Sequence, residues 1–198
     1  VIAFGQLDQG EPFIAMEWLE GEDLAQRQKR APLNPKDALD VAAQIAEALS
    51  ASHDAGIIHR DVKPSNVFLV EPASPEAARA GLTAKLVDFG VAAAEDAKIT
   101  RTGAIIGTPA YMAPEQARGD QGVDARADIY ALGATLFEVI AGRAPHVGPT
   151  PIAILARLVT TPAPRLSELG LDVPMALDDL MARMLAAALD TVQDRQVE

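Results

Sequence analysis

Three side chains able to do chemistry lie close together in the stretch HRDVKPSN, residues 59–66: Asp61, Lys63 and Asn66. Greasy residues bound the stretch, GII before it and VFLV after it. A carboxylate can accept a hydroxyl proton. An ammonium can neutralise a phosphate. An amide oxygen is a hard ligand suited to Mg2+. Brought together, these groups supply what phosphoryl transfer needs, since catalysis there is mainly positioning and charge stabilisation. Twenty-two residues beyond Asn66 stands Asp88, the first residue of DFG. At the end of a strand it would share a metal ion with Asn66, and Gly90 would allow an unusual backbone turn after it. Further on lies GTPAYMAPE, residues 107–115.

Those groups need elements to hold them. VIAFGQL and PFIAMEWL, separated by DQGE, read as a strand hairpin. Gly21 breaks that pattern. From Asp37 to His53 the apolar residues Ala38, Val41, Ala42, Ile45, Ala46 and Leu49 recur at helical spacing. Asn34-Pro35 is a start signal for that helix and Gly56 a stop. Residues 71–84, rich in Ala and Pro without a period, read as an extended surface loop. AKLVDFG reads as a short strand. Residues 91–114 are irregular, and so long an irregular segment inside a compact domain is usually functional. A second strong helix spans Asp124 to Ala141, with Ile129, Leu132, Leu136, Val139 and Ile140 in phase and Gly142 ending it. A shorter helix is expected over 150–158, and a last one over 175–189, with a Pro-punctuated loop between. The coarse class is α+β: a mostly helical body with a few short strands near the front.

Composition narrows the function. The chain has 198 residues, 49% of them hydrophobic, enough for a core. Its formal net charge is −11, which argues against a nucleic-acid partner, since those binders carry a basic patch. There is no cysteine, so disulfides and thiolate metal sites are excluded. Three separated histidines speak against a zinc site. His59 is read as a packing residue under Phe89, and His53 and His146 as surface or helix-end residues. The acidic cluster Glu17, Glu20, Glu22 and Asp23 reads as a solvated rim. No apolar run is long enough to span a bilayer, and the first residues lack the pattern of a signal peptide. The start at Val1 points to a segment of a longer protein.

Taken in order, HRD with Lys63 and Asn66, then DFG, then GTPAYMAPE, resemble the signatures of the eukaryotic-type Ser/Thr protein kinases, bacterial members included. The resemblance implies a protein-kinase-like fold. Residues 1–20 would be the end of the small lobe and the hinge. Residues 21–198 would be the helical C-terminal lobe, with a catalytic loop at 59–66 and an activation segment at 88–115. Asp61 would be the catalytic base and Lys63 the contact to the transferred phosphate. Asn66 and Asp88 would hold Mg2+, with Mn2+ as the alternative ion. FIAMEWLEGEDL resembles the last small-lobe strand and hinge, so Met16 would be the gatekeeper. Glu17 and Leu19 would offer backbone groups to the adenine of ATP, and Phe68 part of the floor under it. Asp23 would reach the ribose or a basic substrate residue. ADIYALG resembles the central large-lobe helix, where Asp128 would brace the catalytic loop. Thr108 fits the Ser/Thr branch. Arg195 would pair with Glu115, although DTVQDRQ departs from the usual Asp-Pro spacing before that arginine. Arg60 would receive a phosphothreonine at Thr100 or Thr102.

The implied partners are ATP and proteins bearing Ser or Thr hydroxyls, in the cytoplasm, with any membrane span outside this segment. No signal speaks to oligomeric state. Two kinase elements are not found: no G-x-G-x-x-G precedes residue 59, and no V-A-I-K-like strand occurs. The segment on its own is therefore expected to transfer phosphate poorly, and the activity is assigned to the parent protein. The alternatives are a pseudokinase or scaffold, which binds proteins without phosphoryl transfer, and a small-molecule phosphotransferase of the same fold. Intact Asp61, Lys63, Asn66 and Asp88 weigh against the first, and GTPAYMAPE against the second.

Overall fold

A computed structural model describes residues 2–7, 10–88 and 109–186. The front of the chain is the expected antiparallel hairpin, β1 (Ala3–Gln6) against β2 (Pro12–Ala15), with Ala3 opposite Ala15. A second antiparallel sheet has the order β3 (Gly21–Asp23), β4 (Val67–Val70), β5 (Thr83–Leu86). Gly21 stands opposite Val70 with φ 141°. A Cβ there would lie 2.1 Å from the Leu69 carbonyl oxygen, so only glycine lets β3 approach β4.

Helix α1 (Leu24–Arg30) follows β3 directly, capped by the Asp23 carboxylate, which accepts from the Gln26 N–H at 2.8 Å. The sequence reading has no helix here. Leu24 is the one buried residue of α1, so there is no apolar period to find. Helix α2 (Pro35–Asp54) starts as its sequence signals require. Asn34 accepts from the Asp37 N–H at 2.9 Å, and Pro35 sits in the first turn, where its missing N–H costs nothing. Residues 71–84 correct the loop expectation: they contain α3 (Pro75–Ala80), capped by Ser74 on the Ala77 N–H, and then the first half of the strand β5. Ser-Pro before an Ala-rich run was the available signal.

Three more helices complete the body: α4 (Pro114–Arg118), α5 (Arg126–Ala141) and α6 (Pro151–Thr160). Helix α7 (Met175–Ala186) closes the described chain. Helix α5 is the hub. It is buried nearly all round and packs against both α2 and α7. Val41, Ile45 and Leu49 of α2 meet it in the core beside Leu132, Leu136 and Phe137. Two glutamines stitch separate segments through their backbones. Gln44 of α2 donates to the Leu82 carbonyl and accepts from the Ala84 N–H, both at 2.9 Å. Gln28 of α1 donates to the Val139 carbonyl of α5 at 2.9 Å and accepts from the Leu33 N–H at 3.0 Å.

Asp178 of α7 pins the preceding loop. It accepts from the Leu166 N–H at 2.9 Å, from the Ser167 hydroxyl at 2.7 Å and from Arg165 Nε at 2.8 Å. The Arg165 bond, aided by those from Ser167, lowers its pKa from 3.8 to about 2. Between these two values the unfolded chain binds the proton and the folded one does not, so stability rises with pH through that window. This contribution is complete above the unfolded value and is lost as pH falls through the folded one. Thermal melts of wild type and Asp178→Asn should differ by a constant amount at pH 5 to 7, with the gap closing towards pH 2. A gap that persists at pH 2 would refute the assignment.

Candidate active site

The site is built on the turn that leaves α2. Ser52 Oγ donates to the Ile57 carbonyl at 2.7 Å and folds the chain back. The next residues are gripped by Asp128, in the first turn of α5 and fully buried. Its Oδ2 accepts from the His59 backbone N–H at 2.8 Å, and its Oδ1 from the Arg60 N–H at 2.7 Å. His53 Nε2 lies 2.7 Å from the same Oδ2. His53 is thus part of this cluster, a correction to its reading as an ordinary helix-end residue. His146, read from sequence as a surface or helix-end residue, is instead buried, and burial lowers its pKa.

His59 is fully buried. Its Nε2 sits 3.1 Å from the Val87 carbonyl, while its Nδ1 accepts from the Asp61 N–H at 3.3 Å. A carbonyl needs a donor and an N–H needs an acceptor, so the neutral ring protonated on Nε2 satisfies both. Burial lowers its pKa, in agreement with a neutral ring. Phe89, expected above it, lies outside the described residues. Arg60 adopts φ 67°, a left-handed conformation uncommon for a residue with a side chain. Val62, 1% exposed, anchors the loop in the core.

Asp61, Lys63 and Asn66 come together. Lys63 Nζ lies 2.6 Å from Asp61 Oδ2. Asn66 Nδ2 donates to the Asp61 carbonyl at 2.8 Å and to Asp61 Oδ2 at 3.0 Å. Both bonds use amide protons, so neither occupies the Asn66 amide oxygen. The short turn Pro64–Asn66 sets this geometry. The Val87 N–H then donates to the Asn66 carbonyl at 2.9 Å, which ties the segment leading to Asp88 onto the loop. Asp88 is exposed, two residues past β5, with φ 55°. An amide oxygen with no hydrogen bond from another described residue and an open carboxylate on neighbouring strand ends suit a hard divalent cation. Among the described residues no group of three or more His, Cys, Asp or Glu could hold a metal.

The other expected residues are spread around this centre. Met16, Glu17 and Leu19 lie between β2 and β3, with Met16 exposed and Glu17 paired to Lys85 at 2.7 Å. Asp23 stands opposite Phe68 across β3 and β4. Glu115 is half-buried; burial raises its pKa, and its Oε2 has no partner among the described residues. Thr100, Thr102, Thr108 and Arg195 lie outside the described residues. Two contacts had no signal in the sequence. Tyr111 of the AYMAPE stretch donates to Glu138 Oε2 of α5 at 2.5 Å. Gln116 of α4 accepts from the Ala113 N–H and donates to the Arg60 carbonyl.

A kinase-like α+β body thus carries a carboxylate, an ammonium and an amide on one braced loop. The profile of the protein kinase domain matches residues 6–188, and the chain belongs to that family. Among curated relatives, it is 38% identical over 194 residues to the serine/threonine-protein kinase pkn3 of Myxococcus xanthus, covering 94% of this chain and 34% of that protein. It is 36% identical over 178 residues to the serine/threonine-protein kinase PknB of Mycobacterium leprae, covering 88% of this chain and 27% of that protein. It is 42% identical over 147 residues to PknB of Mycobacterium tuberculosis, covering 72% and 22%. The chain therefore spans about a fifth to a third of the length of these relatives.

Replacing Asp128 by Ala strips acceptors from two backbone N–H groups at once, a buried one at His59 and a part-buried one at Arg60. Each orphaned donor costs about 1–3 kcal/mol, so Asp128→Ala should lower unfolding free energy by at least about 2 kcal/mol in urea titrations. A loss below about 0.5 kcal/mol, the size of an ordinary surface change, would contradict the bracing role.

Proposed function

We propose that the protein carrying this chain transfers the γ-phosphoryl group of ATP to Ser or Thr hydroxyls of other proteins. The observation that carries this reading is the Asp61–Lys63–Asn66 cluster, held on a loop whose backbone hangs from buried Asp128. The relatives' names, all serine/threonine-protein kinases, support it.

Asp61 is the base. Its carboxylate takes the hydroxyl proton as the substrate oxygen bonds to the γ-phosphorus, and the bond from phosphorus to the β–γ bridging oxygen breaks to release ADP. Lys63 offers its charge to the phosphoryl group in flight. In the free site it rests on Asp61; during transfer it would divide its protons between that carboxylate and phosphate oxygens. Asn66, through its amide oxygen, and Asp88 would hold Mg2+ or Mn2+, which neutralises phosphate charge when bound. Met16, Glu17, Leu19 and Phe68 would line the adenine site, with Asp23 towards the ribose. Glu115 would pair with Arg195, and Thr108 would position the substrate. Arg60 would receive phosphate placed on Thr100 or Thr102; its guanidinium has no hydrogen bond or ion pair with another described residue. The need for ATP favours the cytoplasm, and no described helix is long and apolar enough to cross a membrane.

The test uses the full-length protein with radiolabelled ATP and a protein substrate. Asp61→Asn should cut transfer by roughly 10² or more, as expected for loss of a general base. Equal labelling by wild type and Asp61→Asn, or no labelling by wild type, would overturn the proposal.

A further inference from the structure

The geometry points to Gln116 as a positioning residue that fixes the peptide plane carrying the catalytic base. This inference rests on the kinase reading above and deepens it. The peptide unit between Arg60 and Asp61 offers two polar groups, the Arg60 carbonyl and the Asp61 N–H. Gln116 Nε2 donates to the carbonyl at 3.2 Å. His59 Nδ1 accepts from the N–H at 3.3 Å. One peptide plane is therefore held at both ends, from two different segments. The unit before it is held too, since the Arg60 N–H donates to Asp128. These three bonds surround a residue at φ 67°. A left-handed backbone at a residue with a side chain is strained and persists only when neighbours over-determine it.

The Gln116 amide can serve in only one orientation. Its Oε1 accepts from the Ala113 N–H at 2.9 Å, at the start of α4. Reversing the amide would set its oxygen against the Arg60 carbonyl and its NH2 against the Ala113 N–H, so both partners vote for the same assignment. One side chain thereby couples the first turn of α4, the end of the APE segment, to the residue before Asp61. If α4 shifts, the plane that aims the Asp61 carboxylate loses its carbonyl anchor. A misplacement of about 1 Å in a reacting group can cost as much as 10²-fold in rate. Gln116 touches neither substrate nor phosphate in this scheme; it acts through Asp61.

Gln116→Glu separates the two bonds. One carboxylate oxygen still accepts from the Ala113 N–H, while the other now faces the Arg60 carbonyl with no proton to give. In the full-length protein, kcat should fall about tenfold or more while KM for ATP stays within about twofold, the pattern of an interaction needed in the transition state and not for binding. Hydrogen exchange of peptides covering residues 57–63 should speed up, with exchange in α2 and α5 unchanged. Should that variant prove too unstable to assay, Gln116→Met, which lacks both bonds and the repulsion, is judged by the same criteria. A folded variant with wild-type kcat, or a loss that follows global stability with the loop's exchange unchanged, would overturn the inference. An inactive wild type would instead overturn the kinase reading, and the Asp61→Asn control tells the two failures apart.

Discussion

A buried carboxylate with no lysine or arginine paired to it among the described residues is the constraint on which the site depends. Asp128 is fully buried, and an ionised carboxylate in such a place is costly unless hydrogen bonds replace its water. Among the described residues three groups do so: the backbone N–H groups of His59 and Arg60 and the ring of His53. Its place in the first turn of α5 adds the favourable end of the helix dipole. The dependence runs both ways. The loop is shaped by the need to satisfy Asp128, and Asp128 is tolerable only because the loop has that shape. Helix α5 can serve as the post because the core grips it on nearly every side.

From that anchor the geometry propagates residue by residue. The grip on His59 and Arg60 forces Arg60 into a left-handed backbone. The turn brings Asp61 out of the core, and buried Val62 returns the chain to it. Asn66 then closes the loop on itself through the carbonyl and carboxylate of Asp61. Charge-bearing groups that would repel or solvate freely on a floppy loop are held on a ring of backbone bonds. That is what a reaction governed by positioning demands of its scaffold.

The long helices and the chemistry were legible in the sequence because each has a local signature. Helices α2 and α5 repeat apolar residues at helical spacing between clear start and stop residues, and the loop carries its acid, base and amide within a few positions. What escaped has a shared cause. Strand β3, GED, has no apolar residue and exists because it pairs with β4. Helix α1 buries a single leucine. Helix α3 is six residues, PEAARA, too short to show an apolar period. Gln28, Gln44 and Gln116 each bond a backbone group far from themselves in the chain. An amide that satisfies a distant backbone looks like any other polar residue until tertiary structure brings that backbone to it. The same holds for His53, whose partner is 75 residues away.

The acidic rim shows how net charge and site chemistry coexist. A chain of net charge −11 is proposed to bind a polyanion, which bulk electrostatics would oppose. Salt screens exposed charges beyond about 8–10 Å, so the groups within reach decide. Much of the acidic rim at residues 17–23 is already engaged. Glu17 pairs with Lys85 at 2.7 Å and Glu22 with Arg30 at 2.5 Å, while Asp23 caps α1. The Arg30 bond holds the Glu22 carboxyl below its ordinary pKa. These pairs are exposed and contribute little to stability, but each offsets a negative charge close to where it arises. Lys63 sits inside the loop, on the carboxylate that would take the proton. The local field at the reacting atoms is thus set by a few fixed groups, largely independent of the charge carried by the surface as a whole.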